Sequence, residues 1–188
     1  MNSPSVTRHR RPFMAPVWLL AALGFGVFAL LAGSLIRYQR AAVTTVVVLR
    51  HAEKELGSIA DAPLSPAGGR RAELLASMLG DGDAIGRPVA IYVTDTRRSQ
   101  QTAGPLARRL NLMPTVVDGE PQAIVAQIDR EHHGEVVVVI GHSNTVPTIV
   151  AQLAGIHGLP EIKEDEYGTM YVVSVPSLGK ASVLKLTY

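Results

Sequence analysis

The sequence predicts an α/β fold in three layers, α/β/α, with a mostly parallel central sheet and one transmembrane helix ahead of it. Three observations carry that expectation. Short Val-rich runs alternate with longer amphipathic segments, the pattern of a sheet covered by crossover helices. One uncharged stretch near the N-terminus has the length of a bilayer span. Polar clusters follow three of the apolar runs directly, at the edge where open α/β sheets bind ligands.

The N-terminal stretch comes first. Val17 to Ile36 is a 20-residue run without a charge. As a helix it reaches about 30 Å, the thickness of a bilayer core. Pro16 suits a first helical turn, and Trp18 and Tyr38 flank the run as interfacial rings do. Residues 1–16 read as a basic tail, 17–36 as a transmembrane helix or signal anchor, 37–42 as a linker, and 43–188 as one domain. A cleaved signal peptide is the rival reading, with Ala32-Gly33-Ser34 as its site, but the run is longer than an ordinary signal core. Arg8, Arg10, Arg11 and the amino group precede the span, and Arg37 and Arg40 follow it. The positive-inside rule places the N-terminus in the cytoplasm and the domain outside it. Ala22 with Gly26 and Ala29 with Gly33 have a small-xxx-small spacing, which a helix this rich in Ala and Gly reaches by chance.

Composition excludes several classes. A chain of 188 residues has room for one domain and an appendage. With 47% hydrophobic and 18% charged residues it is not a disordered tail. The absence of cysteine removes a disulfide scaffold, Cys-ligated zinc, an iron–sulfur site and a thiol nucleophile. Five arginines and no acid lie in residues 1–40, which leaves 13 basic against 16 acidic residues beyond them. The net +2 charge therefore belongs to the leader and gives no support to nucleic-acid binding.

The domain's elements follow in order. Thr44–Leu49 reads as a buried strand. Ser65 and Pro66 open a helix as N-cap and N1, with Leu74, Leu75, Met78 and Leu79 as its apolar positions. Val89–Val93 is a second strand, and a helix over about 98–110 ends near Asn111. A short strand at 115–117 and a helix at about 121–132 come next. The fully apolar Val136–Ile140 reads as a central strand. Thr145–Leu153 is a helix with Pro147 in its first turn. Met170–Val175 and Ser182–Leu186 flank a Pro-Ser-Leu-Gly turn as a closing hairpin.

The polar clusters are Arg50-His51-Ala52-Glu53-Lys54, Thr94-Asp95-Thr96-Arg97-Arg98 and Gly141-His142-Ser143-Asn144. A parallel sheet brings the ends of their strands to one edge, so Arg50, His51, Arg98 and His142 should converge. Two imidazoles and two guanidiniums suit a dianionic phosphoryl group. Arginine gives planar, charge-assisted hydrogen bonds to phosphate oxygens. A neutral imidazole can attack phosphorus, and a protonated one can stabilise the transferring charge.

These motifs resemble the histidine phosphatase superfamily, the phosphoglycerate mutase-like clan. Leu49-Arg50-His51-Ala52-Glu53 is similar to the family's L-R-H-G-E. Arg98-Ser99-Gln100-Gln101-Thr102-Ala103 is similar to its R-x-x-Q-T-A, and Gly141-His142 to its second histidine motif. Pro63-Leu64-Ser65-Pro66-Ala67-Gly68 resembles the P-L-[ST]-x-x-G before the family's first helix. The resemblance covers roughly 43–187, with the motifs in the family's order. It implies that His51 is phosphorylated during turnover and that Arg50, Arg98 and His142 complete the phosphate pocket; Thr102 and Asn144 lie close enough in sequence to assist. It makes Arg98, and not Arg97, the second arginine, four residues before the Thr of Q-T-A. It implies no metal and no organic cofactor.

The chain also departs from the family. Ala52 stands where the family has Gly, and Gly57 where its mutase branch has Asn. The insertion that caps the mutase pocket is missing, since only 21 residues separate Thr94 from Thr115. An open pocket favours water as acceptor, hence a phosphatase. The resemblance suggests Glu120, 22 residues after Arg98, as general acid, with Asp118 and Glu53 as competitors. Glu53 and Asn144 are also candidates for substrate binding.

Bland readings compete at other positions. Arg97, the Glu53–Lys54 pair and Asp165-Glu166 can be solvated loop charges, and His132-His133 suit a helix C-terminus. A metal set of His51, Glu53, Asp95 and His142 would place a cation beside Arg50 and Arg98. Ser143 in Gly-His-Ser-Asn-Thr nearly matches a hydrolase nucleophile elbow, but the last Gly and the order of acid and His are wrong. A phospholigand-binding module without turnover is the remaining alternative. The reading is a membrane-anchored phosphatase that cleaves a phosphomonoester or phosphoramidate, in a small molecule or a protein.

Overall fold

The computed structural model describes residues 17–40, 42–57, 61–82, 85–118 and 120–188. The chain divides after Tyr38 into two units. The first holds all but the last two residues of α1 (Val17–Arg40), which continues past the expected span and through most of the expected linker. Its stretch Trp18–Ile36 is long and apolar enough to cross a membrane, with a mean hydropathy of 2.3 and no buried residues. Arg8, Arg10, Arg11 and Pro16 lie outside the described residues.

The second unit contains β1 (Val43–Arg50), α2 (Pro66–Leu79), β2 (Pro88–Thr94), α3 (Arg97–Leu110), β3 (Thr115–Val117), α4 (Pro121–Glu131), β4 (Val136–Gly141), α5 (Thr145–Ala154), β5 (Thr169–Pro176) and β6 (Ser182–Thr187). The strands form one sheet in the order β3-β2-β4-β1-β5-β6. The first four run parallel; β5 and β6 are antiparallel and make the expected hairpin. Alternating side chains of β1 divide between two cores. Val47 and Leu49 pack with Leu75, Ala76 and Leu79 of α2 and Leu106 and Leu110 of α3. Val46 and Val48 pack with Ile124 and Ile128 of α4 and Val146, Ile149 and Val150 of α5. Burial on both faces explains why β1 and β4 are continuous apolar runs.

Local chemistry sets the helix ends. Ser65 Oγ accepts from Gly68 N at 3.1 Å while Pro66 occupies the first turn, as the sequence predicts. Asn111 closes α3 in the left-handed region at φ 56°. One helix face differs from expectation. On α2, Leu75 and Leu79 are buried with Gly68, Ala72 and Ala76, but Leu74 and Met78 are exposed. The small residues let α2 lie close to α3 and to the Glu53 backbone along one stripe, and Leu74 and Met78 lie about 100° round the helix from Leu75 and Leu79.

At the sheet edge where the chain enters β1, His132 is a structural fastening. Its Nε2 meets Tyr92 Oη at 2.9 Å, its Nδ1 meets Glu135 at 2.8 Å, and its carbonyl accepts from Thr44.

Candidate active site

Register brings the three polar clusters level. Arg50 lies opposite Gly141, Leu49 and Val93 both lie opposite Ile140, and His51 N continues the ladder by donating to Gly141 O at 3.0 Å. Since β4 sits between β1 and β2, His142 emerges between His51 and the Thr94 cluster.

His51 is 4% exposed, with both ring nitrogens engaged. Nδ1 lies 2.8 Å from the Ala52 carbonyl, which only accepts, so Nδ1 carries the proton. Nε2 is therefore a bare lone pair, and Arg98 Nε donates to it at 3.1 Å. Burial, opposed by the Ala52 hydrogen bond and reinforced by Arg98, Arg50 and His142, lowers the His51 pKa from 6.5 to about 4. The imidazole is neutral at neutral pH.

The His142 ring stands 5.3 Å from that of His51, edge to face at 67°. Its Nε2 is 3.0 Å from Thr94 Oγ1. Thr94 gives its own proton to Ser99 at 2.7 Å, so the His142 Nε2–H is the donor to Thr94. Burial and the charges of Arg98 and Arg50 hold His142 below the ordinary histidine range, against Asp95 and Glu164. Without a bound anion this imidazole favours its neutral form.

Arg50 is buried, and the loop before β5 clamps it. Its first terminal nitrogen, Nη1, donates to the carbonyls of Lys163, Glu164 and Glu166 at 2.7, 3.1 and 3.1 Å. Its second, Nη2, meets Glu164 Oε2 at 3.2 Å, and the guanidinium lies 4.5 Å over the Tyr167 ring. Among the described residues its Nε is buried without a partner. The Tyr167 ring is 6.4 Å from that of His51. Thr102 Oγ1 ties the motifs together, accepting from Ala52 N at 3.0 Å and donating to Arg98 O at 2.7 Å.

The structure thus brings Arg50, His51, Arg98 and His142 to one edge. It gives other candidates different surroundings. Glu53 is held by Arg71 at 2.6 and 2.9 Å, and that hydrogen bonding keeps its carboxyl below the usual range. Glu120 is the exposed N-cap residue of α4, where its carbonyl accepts from Ala123 and Ile124. Among the described residues it has no hydrogen bond or ion pair with the cluster. Asp118 is exposed beside it. Asn144, the N-cap residue of α5, is exposed and makes no side-chain cap. Arg97 is exposed as expected.

Among the described residues, His51, Glu53, Asp95 and His142 do not gather into a set a metal could use. The Ser143 hydroxyl donates to Glu164 Oε1 at 2.9 Å and meets no imidazole there, so the elbow reading lacks its base. Sequence reasoning missed Glu164, Tyr167 and Asp61. Asp61 accepts from Arg97 N at 2.9 Å and stands 4.0 Å from Arg98 Nη1. Thr94 was within reach, since it opens the second polar cluster.

The family model of the histidine phosphatase superfamily (branch 1) matches residues 46–120, which include the first two motifs. No curated protein matches the chain. Solved structures share the fold. The protein histidine phosphatase SixA, complexed with tungstate, is 20% identical with a TM-score of 0.62, over 76% of this chain and 96% of that one. A mycobacterial glucosyl-3-phosphoglycerate phosphatase with inorganic phosphate is 16% identical with a TM-score of 0.59, over 77% and 96%. Residues 46–120 of this chain are thus similar to the histidine phosphatase superfamily, and the domain has the phosphoglycerate mutase-like fold.

Proposed function

We propose that this protein is a membrane-anchored phosphatase that transfers a phosphoryl group to His51 and then to water. The observation that carries the reading is the buried, unprotonated Nε2 of His51 with Arg98 donating to it and His142 alongside. In the first step Arg98 turns its N–H from Nε2 to a phosphoryl oxygen, the freed Nε2 lone pair attacks phosphorus in line, an N–P bond forms, and the bond to the leaving group breaks. Arg50, Arg98 and His142 take up charge on the phosphoryl oxygens. In the second step water attacks the phosphohistidine. The N–P bond breaks, inorganic phosphate leaves, and the water proton passes to solvent.

The substrate is a phosphoramidate or a phosphomonoester, and the surroundings of the carboxylates favour the first. Glu53 is engaged by Arg71, Asp61 by Arg97 N, and Glu164 by Arg50 and Ser143. A phosphoramidate nitrogen that takes its proton from water leaves without an enzyme acid. For an ester, Glu120 is the carboxylate assigned to the leaving oxygen, acting from the β3 side of the sheet. Two proteins of the same fold are complexes with tungstate and with inorganic phosphate, which is in keeping with an oxyanion ligand here.

The test is a screen of phosphoramidates, phosphorylated small molecules and phosphohistidine peptides with the purified protein. An acid-labile phosphoenzyme on the wild type, absent from His51→Ala, is the expected result. Turnover retained in His51→Ala overturns the mechanism. Tight phospholigand binding with no turnover across the screen favours the binding module instead.

A further inference from the structure

We propose that Glu164 is a specificity-determining residue: its carboxylate holds the phosphoryl group's place on Arg50 and yields it to a dianion. This inference rests on the reading above, in which Arg50 binds phosphate.

The donors of Arg50 are divided in an unusual way. Three backbone carbonyls occupy Nη1, so that nitrogen works as a structural clamp. The remaining fork is Nε with Nη2, the edge a guanidinium uses for planar oxyanions. There, among the described residues, Nε is buried and unpaired while Nη2 carries Glu164. A buried donor without a partner is costly, and a ligand oxygen would satisfy it.

The pair is also unequal. The Arg50 side chain is 1% exposed and that of Glu164 is 74% exposed. Moving the guanidinium would break three carbonyl contacts and the stack on Tyr167. Among the described residues, moving the carboxylate gives up only its contacts with Arg50 and Ser143, and its side chain is largely exposed. When an anion arrives, it is Glu164 that leaves. Hydrogen bonding from Ser143 and the charge of Arg50 keep its carboxyl below the usual range, so it is ionised at neutral pH.

Three consequences follow for ligand choice. A phosphoryl dianion has the charge and the oxygens to displace the carboxylate and fill both Nε and Nη2. A monoanion or sulfonate-like ligand gains less and still faces Glu164. After hydrolysis, the returning carboxylate opposes retention of inorganic phosphate.

The experiment measures inhibition by inorganic phosphate and vanadate on the full-length protein in detergent, for wild type, Glu164→Gln, Glu164→Asp and Ser143→Ala. Removing one like charge from the anion site lowers the phosphate inhibition constant on the order of three- to tenfold in Glu164→Gln. Glu164→Asp keeps the charge and stays near wild type. Ser143→Ala frees one oxygen of the carboxylate and shifts binding in the same direction by a smaller factor. The advantage of Glu164→Gln shrinks as salt rises. Unchanged or weaker phosphate binding in Glu164→Gln overturns the proposal, and weakening in both Gln and Asp variants marks Glu164 as a structural brace. A lower kcat in Glu164→Gln with an unchanged phosphate constant makes it a proton donor instead, which also overturns the proposal. A wild type that binds neither phosphate nor vanadate overturns the phosphate-site reading itself, and this inference with it.

Discussion

The His51 tautomer is fixed by one backbone carbonyl, and its protonation state by burial among cations. In the ligand-free protein its imidazole should titrate near pH 4 by NMR, and Arg98→Ala should raise that value by removing the nearest positive charge. The sign for stability follows. The folded-state pKa lies below the ordinary 6.5, so the unfolded chain binds the extra proton between about pH 6.5 and 4. Stability is full above that window and falls as pH drops through it; His51→Asn should flatten the profile in thermal melts. For turnover, Arg98→Ala and His142→Ala should each lower kcat/KM by about 10²–10³, as loss of an oxyanion donor does. The four convergent residues were legible because each lies at or within a few residues of a strand end, where topology alone brings them together. Glu164 and Tyr167 were not. They reach Arg50 from a loop more than 110 residues away, and no periodicity fixes where a loop returns.

Two contacts between elements test whether packing of α2 and α3 supports the site. Thr102→Val keeps the shape but leaves the buried Ala52 N–H without its acceptor and frees the Arg98 carbonyl. The expected cost is about 1–3 kcal/mol in stability. A fall in kcat that persists well below the melting temperature would separate misplacement of His51 and Arg98 from simple unfolding. Gly68 sets propensity against space. Alanine is a better helix former by about 1 kcal/mol, but its Cβ would lie 2.2 Å from the Glu53 carbonyl oxygen. Relief would have to move backbone, so overpacking at about 1–3 kcal/mol wins and Gly68→Ala should melt lower than wild type. A variant that melts higher would show that the β1–α2 connection gives way freely. Strand order and helix positions could be read from apolar runs and caps such as Ser65. The face of α2 could not, because four apolar residues at 74, 75, 78 and 79 span more arc than one sheet contact can bury.

The whole chain joins a positively charged apolar leader to a negatively charged domain. Residues 17–40 form a helix with no buried surface over Trp18–Ile36, and water is a poor solvent for that much apolar area. We propose a cytoplasmic N-terminal side for the span because three arginines precede it while two follow it. Full-length protein should stay with the membrane pellet after alkaline carbonate extraction. Removing residues 1–40 discards five arginines and leaves 13 basic against 16 acidic residues, so the truncated chain should be soluble and acidic. It should also remain active, since His51, Arg98 and His142 all lie on the sheet edge opposite the one where the chain enters at Val43. Protease added outside spheroplasts should digest the domain while cytosolic markers survive. Full protection there, with digestion only after lysis, would reverse the topology and leave the chemistry at His51 untouched. A mature N-terminus near Leu35 would identify the apolar run as a cleaved signal, and the carbonate pellet would then be empty.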